Sequence, residues 1–226
     1  MSFAGFGPRA VPFLKALGFH QTKEWFEANR ATYENEIRAP LGDLVEDLDA
    51  AFARLGIPLK GDRKGSLFRI NRDVRFSKDK SPYKTNVGAV MSRDGSKSYN
   101  GLLYIHIAAD GCFAAAGFYH PERDELGRLR AALLRAPEAW RAATGRLAQA
   151  GLALSEEDVM KRPPRGFEGV TDPPLAAALR NRSFICSRPI ADDRLGAAAL
   201  AGDIQAFAQD AMPLLEWGWS AIVDTR

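Results

Sequence analysis

Between Leu67 and Tyr119 the apolar residues stop recurring every three or four positions and begin to alternate, and this change of period constrains the fold more than any other feature of the chain. Runs at about 67–76, 84–91, 102–108 and 112–119 read as strands, separated by the turn-forming pairs Ser81-Pro82, Asp94-Gly95 and Asp110-Gly111. Connections this short join antiparallel neighbours, because a parallel pair needs a crossover of about a dozen residues or more. A further run at 184–190 reads as a fifth strand, with Pro189 marking an edge or an end.

The flanks are helical by pattern. Thr22 is a plausible N-cap for a helix carrying Phe26, Tyr33 and Ile37, which Pro40 interrupts. A second helix presents Leu41, Leu44, Val45, Leu48, Phe52 and Leu55 before Gly56 and Pro58 stop it. Trp25 and Phe26 lie on an apolar helix face, where aromatic rings are core rather than a stacking platform. Beyond the strands, 121–135 places Leu126, Leu129, Leu133 and Leu134 inward, and Pro137 opens a helix with Trp140, Ala143 and Leu147. From Asp203 a last helix carries Ile204, Phe207, Ala208, Ala211, Leu214 and Leu215, kinked or broken near Pro213. The expected class is therefore α+β: an antiparallel sheet of four to five strands, about 67–119 plus 184–190, flanked by N-terminal and C-terminal helices.

Composition fits a soluble globular chain, with 46% hydrophobic and 26% charged residues among 226. No run of about 18 apolar residues and no signal-peptide pattern is present, so the expected setting is the cytoplasm, with no membrane insertion. Cys112 and Cys186 are 74 positions apart and lack any metal-ligand spacing, which reads as two reduced core thiols. The Pro- and Gly-rich stretch 160–174 reads as an ordered loop that adds Lys161, Arg162 and Arg165 as a second basic cluster.

Charge is concentrated in one place. Residues 60–84 hold nine Lys or Arg against three Asp, a net +6, whereas the whole chain is +3, so the remainder sums to −3. Such local excess points to an anionic partner. Read as a strand, 68–76 puts Phe68, Ile70, Arg72, Val74 and Phe76 on one face and Arg69, Asn71, Asp73 and Arg75 on the other. Arg72 is the charge on the apolar face, and it is expected to be buried and bonded to a carboxylate, Asp79 first and Asp73 second. Pro82 stiffens the following loop, so that Arg75, Lys78, Lys80 and Lys84 can converge with Arg72 on one anion, with Tyr83 at the rim. The same residues also read as a lattice of ion pairs that keeps a sheet edge soluble. Asp73 and Asp79 are the weak candidates for a catalytic acid/base pair. His106 and His120 lie where they can approach each other, yet two histidines without a placed carboxylate do not make a metal site. The glycine-rich loops, nucleophile elbow and zinc-protease motif are all missing, so no cofactor is expected.

The string Arg72-Asp73-Val74-Arg75-Phe76-Ser77-Lys78-Asp79-Lys80-Ser81-Pro82-Tyr83-Lys84-Thr85 resembles the signature of the bacterial and fungal conserved hypothetical proteins called domain of unknown function 2461. Glu24-Trp25-Phe26, Tyr33, Gly117-Phe118-Tyr119, Pro121, Pro164-Arg165-Gly166-Phe167 and Leu179-Arg180 extend the resemblance along nearly the whole chain, with His20-Gln21 departing from an expected asparagine pair. The resemblance implies one domain spanning 1–226 and implies no activity. Two functions follow from the residues: an enzyme or sensor holding a small phosphorylated or carboxylated ligand at Arg72, Arg75, Lys78, Lys80, Tyr83 and Lys84, or a nucleic-acid or protein-binding module using the same segment. Cations converging in a concave site favour the first, and a flat basic stripe with exposed aromatics favours the second.

Overall fold

The computed structural model describes residues 2–75 and 79–223, the last by its backbone only. Helices and an antiparallel sheet make the α+β class expected from the sequence. The elements run α1 (Ala10–Phe19), α2 (Lys23–Ala28), α3 (Arg30–Tyr33), a π-helical turn (Glu34–Arg38), α4 (Ala39–Leu55), β1 (Asn86–Met91), β2 (Leu102–Ala108), β3 (Cys112–Phe118), α5 (Arg123–Arg135), α6 (Pro137–Gln149), α7 (Pro173–Leu179), β4 (Phe184–Ile190), α8 (Asp192–Leu195) and α9 (Leu200–Val223). The four strands form one sheet in the order β1-β2-β3-β4.

Contacts divide the chain into two compact units with interleaved segments. The first comprises Met1–Tyr99, Leu103–Ala114 and Pro189–Ala206, and the second Asn100–Leu102, Ala115–Arg188 and Phe207–Arg226.

In the first unit β1 and β2 pair with Val87 opposite Ile107, Ala89 opposite Ile105 and Met91 opposite Leu103, so these six share one face, and all are buried. Leu44, Val45, Leu48 and Phe52 of α4 supply the helical side of this unit's core. Thr22 caps α2 as expected, its hydroxyl accepting from the Trp25 N–H at 3.2 Å. Gly56 ends α4 in the left-handed conformation at φ 68°. Pro40 does not interrupt the helix: it sits in the first turn of α4, and the turn before it widens so that the Ala39 N–H reaches Glu34 O. Tyr33, Ile37 and Leu41 are spaced by fours, a step that drifts about 40° in ordinary α geometry, and the wider turn brings all three inward. Helix α1, which was not among the expected helices, contains Pro12. Within the first turn a proline has no intrahelical bond to lose, and Ala10, Phe13, Leu14 and Leu17 are buried at helical spacing.

The strand expected over 67–76 is not a regular strand. Its described part, 67–75, carries no continuous strand, bends at Ile70 and Arg75, and touches its neighbours at two isolated bridges, Leu67↔Ala89 and Asn71↔Tyr83. Between those bridges the chain advances four residues on one side and six on the other, and that slip prevents a continuous ladder. Alternation survives, with Arg69, Asn71, Asp73 and Arg75 exposed and Ile70, Arg72 and Val74 turned inward.

In the second unit Leu129 and Leu133 of α5 are buried, but Leu134, expected inward, is 41% exposed, and Arg130 takes the inward position. The Arg130 guanidinium donates to Leu179 O and Asn181 O at 3.0 and 2.9 Å. Trp140, Phe184 and Trp217 form an aromatic cluster with centroids 4.5–5.8 Å apart. Gly117, at φ 134°, has no room for a side chain, since a Cβ there falls 2.0 Å from Phe184 O. Helix α9 continues through Pro213 without breaking. The 160–172 stretch carries no helix or strand; it is tied at its ends by Met160 N–H to Arg180 O and by Arg141 to Asp172, and within by local bonds such as Phe167 N–H to Pro164 O. No described helix is long and apolar enough to cross a membrane.

Candidate anion-binding face

The 67–75 segment runs beside β1, with the Phe68 N–H donating to Gly88 O at 3.0 Å and the Val90 N–H to Ser66 O at 3.1 Å. This registration puts Phe68 on the sheet face opposite the buried one. Gly88 stands opposite His106 and Val90 opposite Tyr104, so that face also carries both β2 side chains. Gly88 has a direct role: a Cβ there would lie 2.7 Å from the Tyr104 ring and 2.9 Å from Ile105 O, so glycine lets the phenol lie across β1.

The result is a row of half-buried rings. Phe68 meets Tyr104 edge-on at 6.1 Å, Tyr104 meets Phe113 at 6.1 Å, and His106 stacks on Phe113 at 4.6 Å and 17°. Tyr104 Oη and His106 Nδ1 are 2.9 Å apart. Burial pushes the His106 imidazole below its ordinary value of 6.5, and Asp110 only partly opposes this. When the Tyr104 hydroxyl donates to Nδ1, the neutral ring carries its proton on Nε2.

Cations gather at the Phe68 end. The Lys84 and Lys97 ammonium groups lie 5.6 and 5.2 Å from the centre of the Phe68 ring, within cation–π range, and Lys97 also donates to Leu67 O at 2.6 Å. Lys84 is held below the ordinary lysine value of 10.5, first by burial and then by the charges of Arg69, Arg72 and Lys97. Among the described residues no carboxylate lies within 4.0 Å of Lys84, Lys97 or Arg69.

The residues of the basic string do not all join this cluster. Arg72 Nη1 pairs with Asp79 at 2.7 Å, the first of the two expected partners, but its side chain keeps 32% of its exposure and is not deeply buried. Its Nε is buried and has no acceptor among the described residues. Arg75 is engaged by Asp73, through Nε at 3.0 Å and Nη2 at 2.7 Å. Lys80 donates to Val74 O at 2.9 Å. Tyr83, expected at a rim, is 5% exposed and stacks on Phe26 at 4.5 Å and 14°, with its N–H bonded to Gln21 Oε1 at 3.0 Å. Its ring belongs to the cluster of Phe13, Phe26 and Tyr33, and it anchors the end of the loop. Lys78 lies outside the described residues, as do Phe76 and Ser77.

Both motif carboxyls are held below their ordinary value of 3.8. Arg75 holds Asp73 there, while Asp79 is held first by the Ser81 hydroxyl and backbone N–H and then by Arg72. That direction opposes use of either as a proton donor near neutrality. The two histidines have separate partners: His106 has Tyr104 and Phe113, whereas His120, at φ 42°, lies 3.3 Å from Asp158. No cluster of three or more potential metal ligands occurs among the described residues.

Sequence reasoning missed Phe68 and Lys97 as neighbours of Lys84, and Gly88 and Tyr104 as neighbours of Phe68. A usable signal was present in Gly88, a glycine inside a strand pattern, which marks a close approach by another group.

The family model described as conserved hypothetical protein (DUF2461) matches residues 9–217. No curated protein and no solved structure matches the chain.

Proposed function

The chain belongs to the DUF2461 family of conserved hypothetical proteins, a description that carries no reaction, and from the geometry we propose that it binds a small phosphate- or carboxylate-bearing ligand at the cations around Phe68. The observation that carries this reading is Lys84, a half-buried ammonium over the Phe68 ring, depressed first by burial and then by three neighbouring cations, with no carboxylate beside it among the described residues. Gathering like charges costs free energy, and a bound anion offsets that cost while accepting the available N–H donors. Arg69, Lys84 and Lys97 then contact the anion, while Arg72 and Asp79 hold the loop in place. Lys80 and Arg75, already engaged within the loop, act as support. The buried free thiols of Cys112 and Cys186 suit a reducing compartment, and the cytoplasm is the proposed setting.

Thermal denaturation with inorganic phosphate, pyrophosphate and small phosphorylated or carboxylated metabolites tests the reading. A subset of these anions should raise the melting temperature of the wild-type protein, Lys84→Ala should abolish the rise, and Lys80→Ala should retain most of it. If no anion stabilises the wild type, the cations are a surface lattice and the proposal fails. A second reading, a single-stranded nucleic-acid module, draws support from the half-buried rings that adjoin the cations on a sheet face. A steep fall of oligonucleotide affinity with salt, without binding of small anions, would favour it.

A further inference from the structure

Among the described residues the cations occupy only one end of the aromatic row, and that asymmetry says more about the ligand than its charge does. At the Phe68 end stand Lys84 and Lys97, with Arg69 and Arg72 contributing to the field at Lys84. Tyr104 follows, and then His106 stacked on Phe113. At that far end the charge felt by His106 is negative, from Asp110. The row is continuous through ring contacts of 6.1, 6.1 and 4.6 Å, and none of its four rings is fully buried. The absent side chain of Gly88 keeps the Tyr104 ring across the neighbouring strand rather than upright on the sheet.

We infer that the face binds a mononucleotide, with its phosphate on Lys84 and Lys97 and its base against the Phe113 ring, which stands 67° from the plane of Tyr104. This rests on the proposed anion site and adds the chemistry of the rest of the ligand. A planar heterocycle suits a half-buried aromatic ring, and its polar edge finds the His106 imidazole and the Asp110 carboxylate as donor and acceptor. A polynucleotide would call for cations along the whole row, since each nucleotide brings a phosphate. One cationic end and one aromatic stretch instead suit one phosphate and one base. Such a site needs no glycine-rich loop, because side-chain ammonium groups take the place of backbone N–H donors.

Isothermal titration of the wild-type protein with AMP, UMP, ribose 5-phosphate, adenosine, inorganic phosphate and a dT oligonucleotide decides the matter. The expected result is that at least one nucleoside monophosphate binds about tenfold or more tightly than ribose 5-phosphate, the margin that base stacking supplies. Adenosine, which lacks the phosphate, should bind weakly. Phe113→Leu should remove the nucleotide's advantage and leave ribose 5-phosphate binding unchanged, with circular dichroism to confirm the fold. Should that variant fail to fold, the wild-type ligand comparison alone carries the test. Equal binding of ribose 5-phosphate and the monophosphates overturns the inference while leaving the anion site standing. No binding by any anion overturns both. An oligonucleotide that binds while the monophosphates do not places the site on a nucleic-acid strand and overturns the mononucleotide.

Discussion

His106 shows how a single position can couple this face to pH. Its folded pKa lies below the ordinary 6.5, because burial against Phe113 and beside Tyr104 disfavours the imidazolium more than Asp110 favours it. Between the folded value and 6.5 the unfolded chain binds more protons than the native one, so stability rises with pH across that window. The contribution is fully present above 6.5 and is lost as pH falls through the folded value. Between pH 7.5 and 5.5 the melting temperature should therefore fall further for the wild type than for His106→Asn, which does not titrate; equal falls would show that His106 has the same pKa in the folded and unfolded chains. The charge excess of 60–84 was legible in the sequence, but the identity of the unpaired cations was not. That depends on where Asp73 and Asp79 land after the loop closes, and each lands on an arginine rather than on Lys84. Tyr83 was misplaced for a related reason, since its partner Phe26 lies 57 positions away in α2.

At the level of elements, the strongly periodic stretches were read well and the mixed ones poorly. β2, β3, β4, α4 and α6 fall close to where alternation or helical spacing put them. The stretch 67–75 alternates as a strand should, and only its ladder was unforeseeable, because register depends on how the intervening loop spends its length. Where a cap was read from sequence, its energetic consequence follows. The Thr22 hydroxyl satisfies one of the otherwise unpaired N–H groups at the start of α2, a helix of only six residues that carries Phe26 and hence the stacking partner of Tyr83. Thr22→Ala should cost about 1 kcal/mol in chemical denaturation. It should also accelerate hydrogen exchange at the Tyr83 amide, whereas no change at that amide would mean that α2 does not support the loop end.

At the scale of the whole molecule, neither compact unit is a continuous stretch of chain, and β2, β3, β4 and α9 each contribute residues to both. No single cut therefore liberates either unit intact. The two thiols report on this organisation from separate places, Cys112 in the first unit and Cys186 in the second. Both are buried, and burial pushes Cys112 up and Cys186 up to about 12, so neither supplies thiolate near neutrality. Iodoacetamide at pH 8 should leave both unmodified in the native protein and label both after denaturation. Labelling of one alone at intermediate denaturant, read by peptide mass, would show that the units open separately.

The widened turn at Glu34–Arg38 makes the spacing between the Tyr33 cluster and α4 a matter of chain length as much as of side-chain chemistry. One residue more there could not be absorbed a second time, and it would turn everything before it by about 100° relative to α4. Tyr33 would swing out of its contacts with Phe13 and Phe26, and the support beneath Tyr83 would go with it. A segment about thirty positions upstream of Phe68 therefore tolerates many substitutions on its exposed side but no added residue.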